Sequence, residues 1–364
     1  MKLTVSRSLL SDALRKVQGL AAGKGSLPIL SNVKIEAREQ KAKFTTSDLD
    51  LTVVVEISCS VVEDGAITLP AKLLNDAIAR STEGDVSITV DELNSKSTIC
   101  AGSSTFKIAG LPATEFPTLP VSEGNEEEFS LPQDVLKSMF RRTQFAMSQD
   151  DTRRTLKGIL VKFDEGYLTC VATDGRRLSA AEYHPEEAYP FSMSFILPAK
   201  SVLELMKNLG STGNVVFKKC ASQITAILDN GMVFYSKLID DTYPNYKQVI
   251  PTGNDKDVIV DRALLISSIE RVGIFSEAFA MKFDFAANEL KLASSTETGK
   301  GEEIVPVKYE GEAISTTFNH HYILDVLKSI DDDEVKFSFM DGSRPVVISC
   351  SEPGIVVVMP LRVQ

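Results

Sequence analysis

Side chains that commonly bind metals or carry acid–base chemistry are few and poorly arranged in this sequence. There are three histidines, His184, His320 and His321, and five scattered cysteines without a Cys-x-x-Cys pair. His320 and His321 are adjacent and should point to different sides of a helix, which does not suit a shared metal ion. We therefore predict no catalytic residue, no metal site and no cofactor.

Other stretches also fall short of a ligand site. Residues 19–26 resemble a phosphate-binding loop, but Gly25 stands where Ser or Thr must hold Mg²⁺. The acidic run 331–334 lacks the pattern of a calcium loop and is interpreted as a solvated turn. Asp48 and Asp174 occupy matching positions, in which aspartate is expected as a turn former. An enzyme that uses them as paired carboxylates is the rival interpretation.

One segment of the chain returns twice. Residues 67–78 form a short apolar run, a break and then apolar residues at helical spacing, and residues 195–206 and 316–327 follow the same plan. Lys72 and Lys200 lie just inside two of these helix starts, where the helix dipole disfavours a cation unless something outside attracts it. Copies 128 and about 120 residues apart indicate a repeated domain rather than a short repeat.

A second set of helical patterns begins near Leu9, Val135 and Leu264, which gives six helices separated by alternating, strand-like runs. Asp134 and Asp261 are predicted N-caps. Two helices against many antiparallel strands in each repeat predict an α+β fold. Polar stretches near residues 120–128 and 251–257 divide the chain into domains 1–122, 123–253 and 254–364.

The composition predicts a cytoplasmic protein that does not enter a membrane. The hydrophobic fraction is 43%, and no apolar run approaches the roughly 18 residues that span a bilayer. The first residues lack the apolar core of a signal peptide, and scattered cysteines are typical of reduced thiols.

Charge is distributed unevenly. Of the formal net charge of −11, the six predicted helices contribute +6, which leaves −17 for the rest of the chain. Ordinary solvated helix charge could explain this count. An acidic body with basic helices would also suit a protein that surrounds a polyanion without adhering to it elsewhere. On that interpretation Lys72 and Arg80 of the second helix would face DNA.

Domain size limits how such a ring could form. A domain of about 120 residues is a sphere about 35 Å in diameter. Three such spheres in a closed ring leave a hole only about 5 Å wide, whereas six leave a hole about 35 Å wide. One chain therefore cannot encircle a duplex, but a head-to-tail dimer can.

Several motifs in a fixed order resemble one known family, the bacterial DNA polymerase III beta subunits or sliding clamps. They are found at residues 27–32, 47–50, 116–120, 149–150, 172–178, 243–246 and 358–362. The resemblance implies three tandem clamp domains, each with two helices on antiparallel sheets, in a ring-shaped homodimer with its helices inside. It also implies no active site and the partners double-stranded DNA, the replicative polymerase, the clamp loader and other proteins with short clamp-binding peptides.

The resemblance carries over to particular residues. It implies DNA contacts at Lys24, Gln149, Arg153 and Lys200, and Arg154 stands beside them where some relatives have an aromatic residue. It implies a dimer interface at Phe106, Ile108, Ile274 and Phe275. A partner-peptide cleft would be lined by Leu156, Thr173, Gly175, Arg176, Arg177, Leu178, Pro244, Val249, Pro345, Val346, Val357, Met359, Pro360, Leu361 and Arg362.

Alternatives remain open at two of these places. Phe106 and Ile108 could simply belong to the core. The apolar tail from Val357 could be a last core strand rather than a wall of the cleft. A structural repeat protein that binds only other proteins is the second rival for the whole chain.

Overall fold

The six predicted helices are confirmed in the computed structural model, which describes residues 1–21, 27–91, 94–119 and 126–362. Within these ranges the α-helices are α1 (Arg7–Ala21), α2 (Ala71–Ala79), α3 (Gln133–Thr143), α4 (Ala199–Asn208), α5 (Arg262–Val272) and α6 (His320–Ser329). Their apolar faces are buried against strands, as Leu10, Leu14 and Val17 of α1 illustrate.

The strands are short and follow one another closely. In the first half of the chain they are β1 (Lys2–Ser6), β2 (Asn32–Arg38), β3 (Lys41–Ser47), β4 (Leu51–Ser58), β5 (Ser60–Glu63), β6 (Gly65–Pro70), β7 (Asp85–Asp91), β8 (Lys96–Ala101), β9 (Ser104–Ala109), β10 (Glu127–Pro132), β11 (Gly158–Asp164), β12 (Tyr167–Thr173) and β13 (Arg177–Tyr183). In the second half they are β14 (Met193–Pro198), β15 (Asn214–Lys219), β16 (Gln223–Leu228), β17 (Val233–Lys237), β18 (Lys256–Asp261), β19 (Ala280–Ala286), β20 (Glu289–Thr296), β21 (Gly299–Lys308), β22 (Ile314–Asn319), β23 (Glu334–Phe339), β24 (Val346–Ser349) and β25 (Gly354–Val358).

These strands form three sheets, and the pairings among the described strands are antiparallel. The orders are β5-β1-β7-β8-β9, then β10-β15-β16-β17-β4-β3-β2-β6, and β14-β11-β12-β13-β25-β24-β23-β18-β21-β20-β19-β22. With helices packed on these sheets, the α+β prediction is confirmed.

In each repeat, the first residue of the first helix forms a hydrogen bond with the C-terminal end of the second helix. The bonds run from Arg7 Nη2 to the Ala79 carbonyl (2.6 Å), from the Gly210 N–H to Gln133 Oε1 (2.8 Å) and from Arg262 Nε to the Asp332 carbonyl (2.6 Å). In each case a polar backbone group in or just beyond the last turn of a helix gains a partner. The repeat seen in the sequence is thus also a repeat of side-chain contacts.

One of the two N-cap predictions is confirmed and the other is wrong. Asp261 accepts a hydrogen bond from the Leu264 N–H at 2.7 Å and caps α5. Asp134 is instead the second residue of α3, because β10 runs directly into a helix that begins at Gln133.

The prediction for His320 and His321 is also wrong. Their rings stack with centroids 4.4 Å apart instead of pointing to different sides. His320 is buried and its Nδ1 lies 2.8 Å from the Phe279 carbonyl, while the Phe279 ring packs against His321. Burial lowers the pKa of His320, which favours the neutral ring.

The chain forms two compact units that do not coincide with the three predicted domains. One comprises Met1–Asp134 with Leu203–Leu238, and the other comprises Val135–Val202 with Ile239–Gln364. The difference arises because strand pairing crosses the predicted limits: β4 pairs with β17 in the first unit, and β13 pairs with β25 in the second. The domain limits themselves stay a prediction.

Candidate partner and nucleic-acid interfaces

The turn between β12 and β13 is built around Asp174. Its Oδ1 accepts hydrogen bonds from the N–H groups of Arg176 (2.8 Å) and Arg177 (3.0 Å). Thr173 Oγ1 donates to the Arg177 carbonyl at 2.7 Å and accepts from the Gly175 N–H at 3.1 Å. Gly175 has a φ of +84°, which a residue with a Cβ adopts only with strain. The turn therefore presents Gly175 and Arg176 to solvent in one fixed shape.

Arg177 anchors this turn to α6. Its Nε lies 3.2 Å from Asp174 Oδ2, and its Nη1 donates to Asp325 Oδ2 at 2.6 Å. The guanidinium also lies over the Tyr322 ring, 4.3 Å from the centroid. Two carboxylates and an aromatic face compensate a largely buried cation, so Arg177 supports the turn more than it projects from it.

A nine-residue loop, 148–156, combines candidates from two predicted sites. It is closed by a hydrogen bond from the Ser148 N–H to the Leu156 carbonyl at 2.9 Å. Inside it, the Thr152 hydroxyl and N–H both donate to Asp150, which holds the pKa of that carboxyl below its usual value. Gln149, Arg153 and Arg154 of the predicted DNA contacts lie on this loop and are exposed, and the cleft candidate Leu156 ends it.

The loop 148–156 and the turn 173–177 border one open pocket of about 330 Å³. Its lining includes the DNA candidates Gln149 and Arg153 and the cleft candidates Arg176 and Arg177. The two candidate surfaces thus meet within the second unit.

The C-terminal tail changes character at Val358. Up to that residue β25 is an inner strand between β13 and β24. Beyond it, the Met359 N–H donates to the Arg176 carbonyl at 2.9 Å and the Leu361 N–H to the Thr317 carbonyl at 2.7 Å. The core interpretation therefore fits the first residues of the tail, whereas its last residues lie outside the sheet; that these last residues form a wall of the cleft stays a prediction.

The remaining cleft candidates separate by depth. Leu178 and Val357 are buried in one apolar cluster, against which Tyr243 and Ile250 pack. Val346 is 0% exposed and can support a groove only from beneath. The exposed or partly exposed candidates are Leu156, Thr173, Gly175, Arg176, Arg177, Pro244, Val249, Pro345, Met359, Pro360, Leu361 and Arg362.

Three predicted DNA contacts outside the loop lie on a helix or directly after one. Lys72 is in the first turn of α2, Arg80 follows its last turn, and Lys200 is the second residue of α4; all three are exposed. Lys24 lies outside the described residues. These positions agree with the predicted placement of cations on helices.

The predicted dimer residues lie beside two strands with open edges. β9, which holds Phe106 and Ile108, is the last strand of its sheet. β21 pairs with β20 along its length, but with β18 only through its last two residues. Ile274 is 77% exposed and Phe275 packs near the start of β21, against Gly299.

Phe106 and Ile108 differ in exposure. Ile108 is buried, as the core alternative expects, whereas Phe106 is only partly buried. An apolar side chain at an open edge is available for pairing with another chain.

Metal and membrane sites are not evident in the part of the chain that the structure describes. No group of three His, Cys, Asp or Glu there is placed to hold a metal, and none of the helices there is long and apolar enough to cross a bilayer. The acidic run 331–334 is more than a solvated turn, since Asp331 pairs with Arg141 and Asp332 accepts hydrogen bonds from Ser351.

Family models match nearly the whole chain in order. The N-terminal, central and C-terminal domains of the DNA polymerase III beta subunit match residues 1–120, 130–245 and 247–362. This chain belongs to the DNA polymerase III beta subunit family. The resemblance seen in the sequence is confirmed, and so is the fold of three tandem clamp domains.

Full-length relatives agree with this family membership. The chain is 32% identical to the beta sliding clamp of Chlamydia pneumoniae and 33% identical to that of Escherichia coli K12, covering 100% of this chain and 99% and 100% of the relatives. A crystal structure of the sliding clamp from Pseudomonas aeruginosa bound to griselimycin matches with a TM-score of 0.92 and 33% identity over 100% of both chains. The interpretation as a non-catalytic clamp subunit is therefore preferred to an enzyme.

Three residues at these candidate surfaces were not predicted from the sequence. Tyr322 and Asp325 hold Arg177 but lie almost 150 positions away from it, and no local signal connects them. Ile304 is 62% exposed on the outer face of β21, beside Glu302 and Pro306. An exposed isoleucine on a strand face that also carries two lysines and a glutamate is a signal that could have found it.

Proposed function

We propose that two copies of this chain close head to tail into a ring that encircles duplex DNA and tethers the replicative polymerase to it. The protein has no catalytic role of its own and acts in the cytoplasm. The main support for this proposal is the match of the chain to three consecutive clamp domains in the order found in the family. A ring of six such domains leaves a hole of about 35 Å, wide enough for a duplex.

The dimer forms where the open edge of β9 meets the open edge of β21 in the partner copy. Edge strands expose unpaired backbone groups, and antiparallel pairing would satisfy them. Phe106 on one side and Ile274 and Phe275 on the other supply the apolar contacts, and the buried Ile108 holds β9 in place beneath them. Ile304 belongs to the same surface.

An aspartate at the interface tests this dimer. Ile274→Asp places a charge in the apolar contact, so light scattering at micromolar concentration should show a monomer instead of twice 39.7 kDa. Val62→Asp is the matched control, because Val62 is 65% exposed on β5 at the opposite edge of the β9 sheet. A wild-type monomer, or a dimer that tolerates Ile274→Asp, would contradict the interface.

DNA is held by enclosure and by contacts that do not depend on sequence. Lysine and arginine on helices and loops reach phosphates, and nothing among the candidates is placed to read base edges. The contacts are Lys24, Lys72, Arg80, Gln149, Arg153, Arg154 and Lys200.

Topology distinguishes enclosure from ordinary binding. Once loaded, the ring should stay on a nicked circle in high salt and slide off when the circle is linearised. Lys72→Ala or Lys200→Ala should slow loading while leaving the dimer intact, and Lys41→Ala on β3 is the control. Retention on linear DNA would contradict the encircling model.

Partner proteins bind through the cleft formed by the 173–178 turn, the 243–250 segment and the tail. The ligand is a short extended segment with a Gln and paired Leu or Phe anchors, since apolar pockets give affinity and a few polar groups give register. The polymerase, the clamp loader and other clamp-binding proteins would share this site. The buried cluster of Leu178 and Val357 forms its floor.

A further inference from the structure

Arg153 belongs to both candidate surfaces at once. Its side chain is 52% exposed, so it is open to an incoming phosphate. Its Nη1 nevertheless donates to the Asp174 carbonyl at 3.0 Å, in the turn of the partner cleft. A Cβ added to Gly175 would lie 2.9 Å from the same Nη1, so the guanidinium lies directly over Gly175 and would have to shift to admit a side chain there.

The guanidinium can serve two partners together. It has five N–H donors in a planar fork, and the Asp174 carbonyl uses one of them. Its other contact is looser, with Nε 3.5 Å from Asp150 Oδ2. A phosphate that forms paired hydrogen bonds with arginine would therefore replace Asp150 and leave the bond to Asp174 in place.

We infer that Arg153 is a positioning residue for the partner cleft as well as a DNA contact, so that DNA binding and peptide binding are coupled through it. The inference rests on the proposed function. A phosphate fixes the Arg153 guanidinium over Gly175, so that the rim of the cleft is set before the peptide arrives. DNA should therefore tighten peptide binding, and by linkage the peptide should tighten DNA binding by the same factor.

The neighbouring Arg154 provides a matched control. It has the same charge, is exposed and lies on the same loop. Across the described residues, no hydrogen bond or ion pair joins its side chain to the 173–178 turn. Removing either arginine weakens DNA binding, but only Arg153 can carry the coupling.

The experiment measures peptide affinity with and without DNA, using the full-length dimer. The probe is a fluorescein-labelled Gln-Leu-Ala-Leu-Phe peptide, followed by anisotropy, with a saturating duplex of about 30 base pairs at low ionic strength. In the wild type the duplex should lower the peptide Kd about fivefold, the lower end of usual coupling. In Arg154→Ala the same fivefold response should remain at saturating DNA.

Arg153→Ala should bind the peptide more weakly and lose the response to DNA. Arg153→Lys keeps the charge but not the fork, so it should also lose the response. A fivefold response in Arg153→Ala, or none in the wild type, overturns the inference.

The two proposals fail in different ways. A wild-type protein that stays on closed circular DNA but shows no effect of DNA on the peptide overturns this coupling alone. A protein that is not retained on closed circles overturns the proposed function and the coupling with it.

Discussion

The turns at residues 47–51 and 173–177 have the same backbone conformation but carry different side chains. Asp48 Oδ1 accepts from the N–H groups of Asp50 (3.1 Å) and Leu51 (2.7 Å), as Asp174 does from the residues two and three positions ahead. Leu49 has a φ of +80°, against +84° for Gly175. One turn therefore has a leucine at the position where the other has a glycine in contact with the Arg153 guanidinium.

Each turn also accepts a backbone hydrogen bond from a distant part of the chain. The Lys237 N–H donates to the Asp50 carbonyl at 2.8 Å, and the Met359 N–H donates to the Arg176 carbonyl at 2.9 Å. The side chains at these positions differ. Lys237 also forms an ion pair with Asp50, whereas Met359 begins an apolar tail. The same backbone arrangement thus carries an ion pair at one position and an apolar tail at the other, so the side chains alone make the two positions differ.

The largest expected effect comes from removing the tail. Deleting Met359–Gln364 should abolish peptide binding and leave the dimer and its retention on DNA unchanged, because β25 ends at Val358. Anisotropy with the labelled peptide and light scattering measure the two properties. If the shortened protein unfolds or still binds the peptide, the tail is core and the groove lies elsewhere.

Asp174→Ala should destabilise the protein more than Asp48→Ala. Both changes remove two hydrogen bonds to the backbone, but only the first also leaves the largely buried Arg177 short of a partner. We expect a loss of about 2–3 kcal/mol of unfolding free energy for Asp174→Ala and about 1–2 kcal/mol for Asp48→Ala. Urea unfolding measures both, and equal losses would break the comparison.

Gly175→Ala isolates the contact with Arg153. A Cβ at positive φ costs about 1 kcal/mol, and here it would also displace the guanidinium and weaken peptide binding. Gly231→Ala is the matched control, since Gly231 has a φ of +77° and open space around it. The two variants should lose similar stability, but only Gly175→Ala should raise the peptide Kd.

Leu49→Gly should have the smallest effect. It relieves left-handed strain at a side chain that is 48% exposed, while glycine adds entropy to the unfolded chain. The unfolding free energy should rise by less than about 1 kcal/mol, with peptide binding unchanged. A clear loss of unfolding free energy would mean that the buried part of the Leu49 side chain makes stabilising contacts.

Local patterns in the sequence predicted the helices and the two turns well. Helical periodicity depends on neighbouring residues, and the interpretation of Asp48 and Asp174 as turn formers is confirmed by their hydrogen bonds. Failures occurred where distant contacts decide. The stacking of His320 on His321 depends on Phe279, about 40 residues away, and the β13–β25 pairing has no local signal.

The candidate surfaces were predicted largely by resemblance rather than by spacing. Nothing in the sequence alone places Arg153 against Asp174, since 21 residues and two strands separate them. Likewise, the half-open edge of β21 follows from its pairing with β18 through only Val307 and Lys308. Such features require the register of the strands, which periodicity does not specify.

The β4–β17 pairing also affects how fragments of this protein would behave. Leu51, Val53 and Val54 are buried, and the strand that pairs with their segment comes from residues 233–237. A fragment that ends at residue 122 would keep β4 but lose this neighbour, and would expose a row of unpaired backbone groups beside apolar side chains. Open edges of this kind recruit other strands, so such a fragment should aggregate at concentrations at which the intact chain stays dispersed.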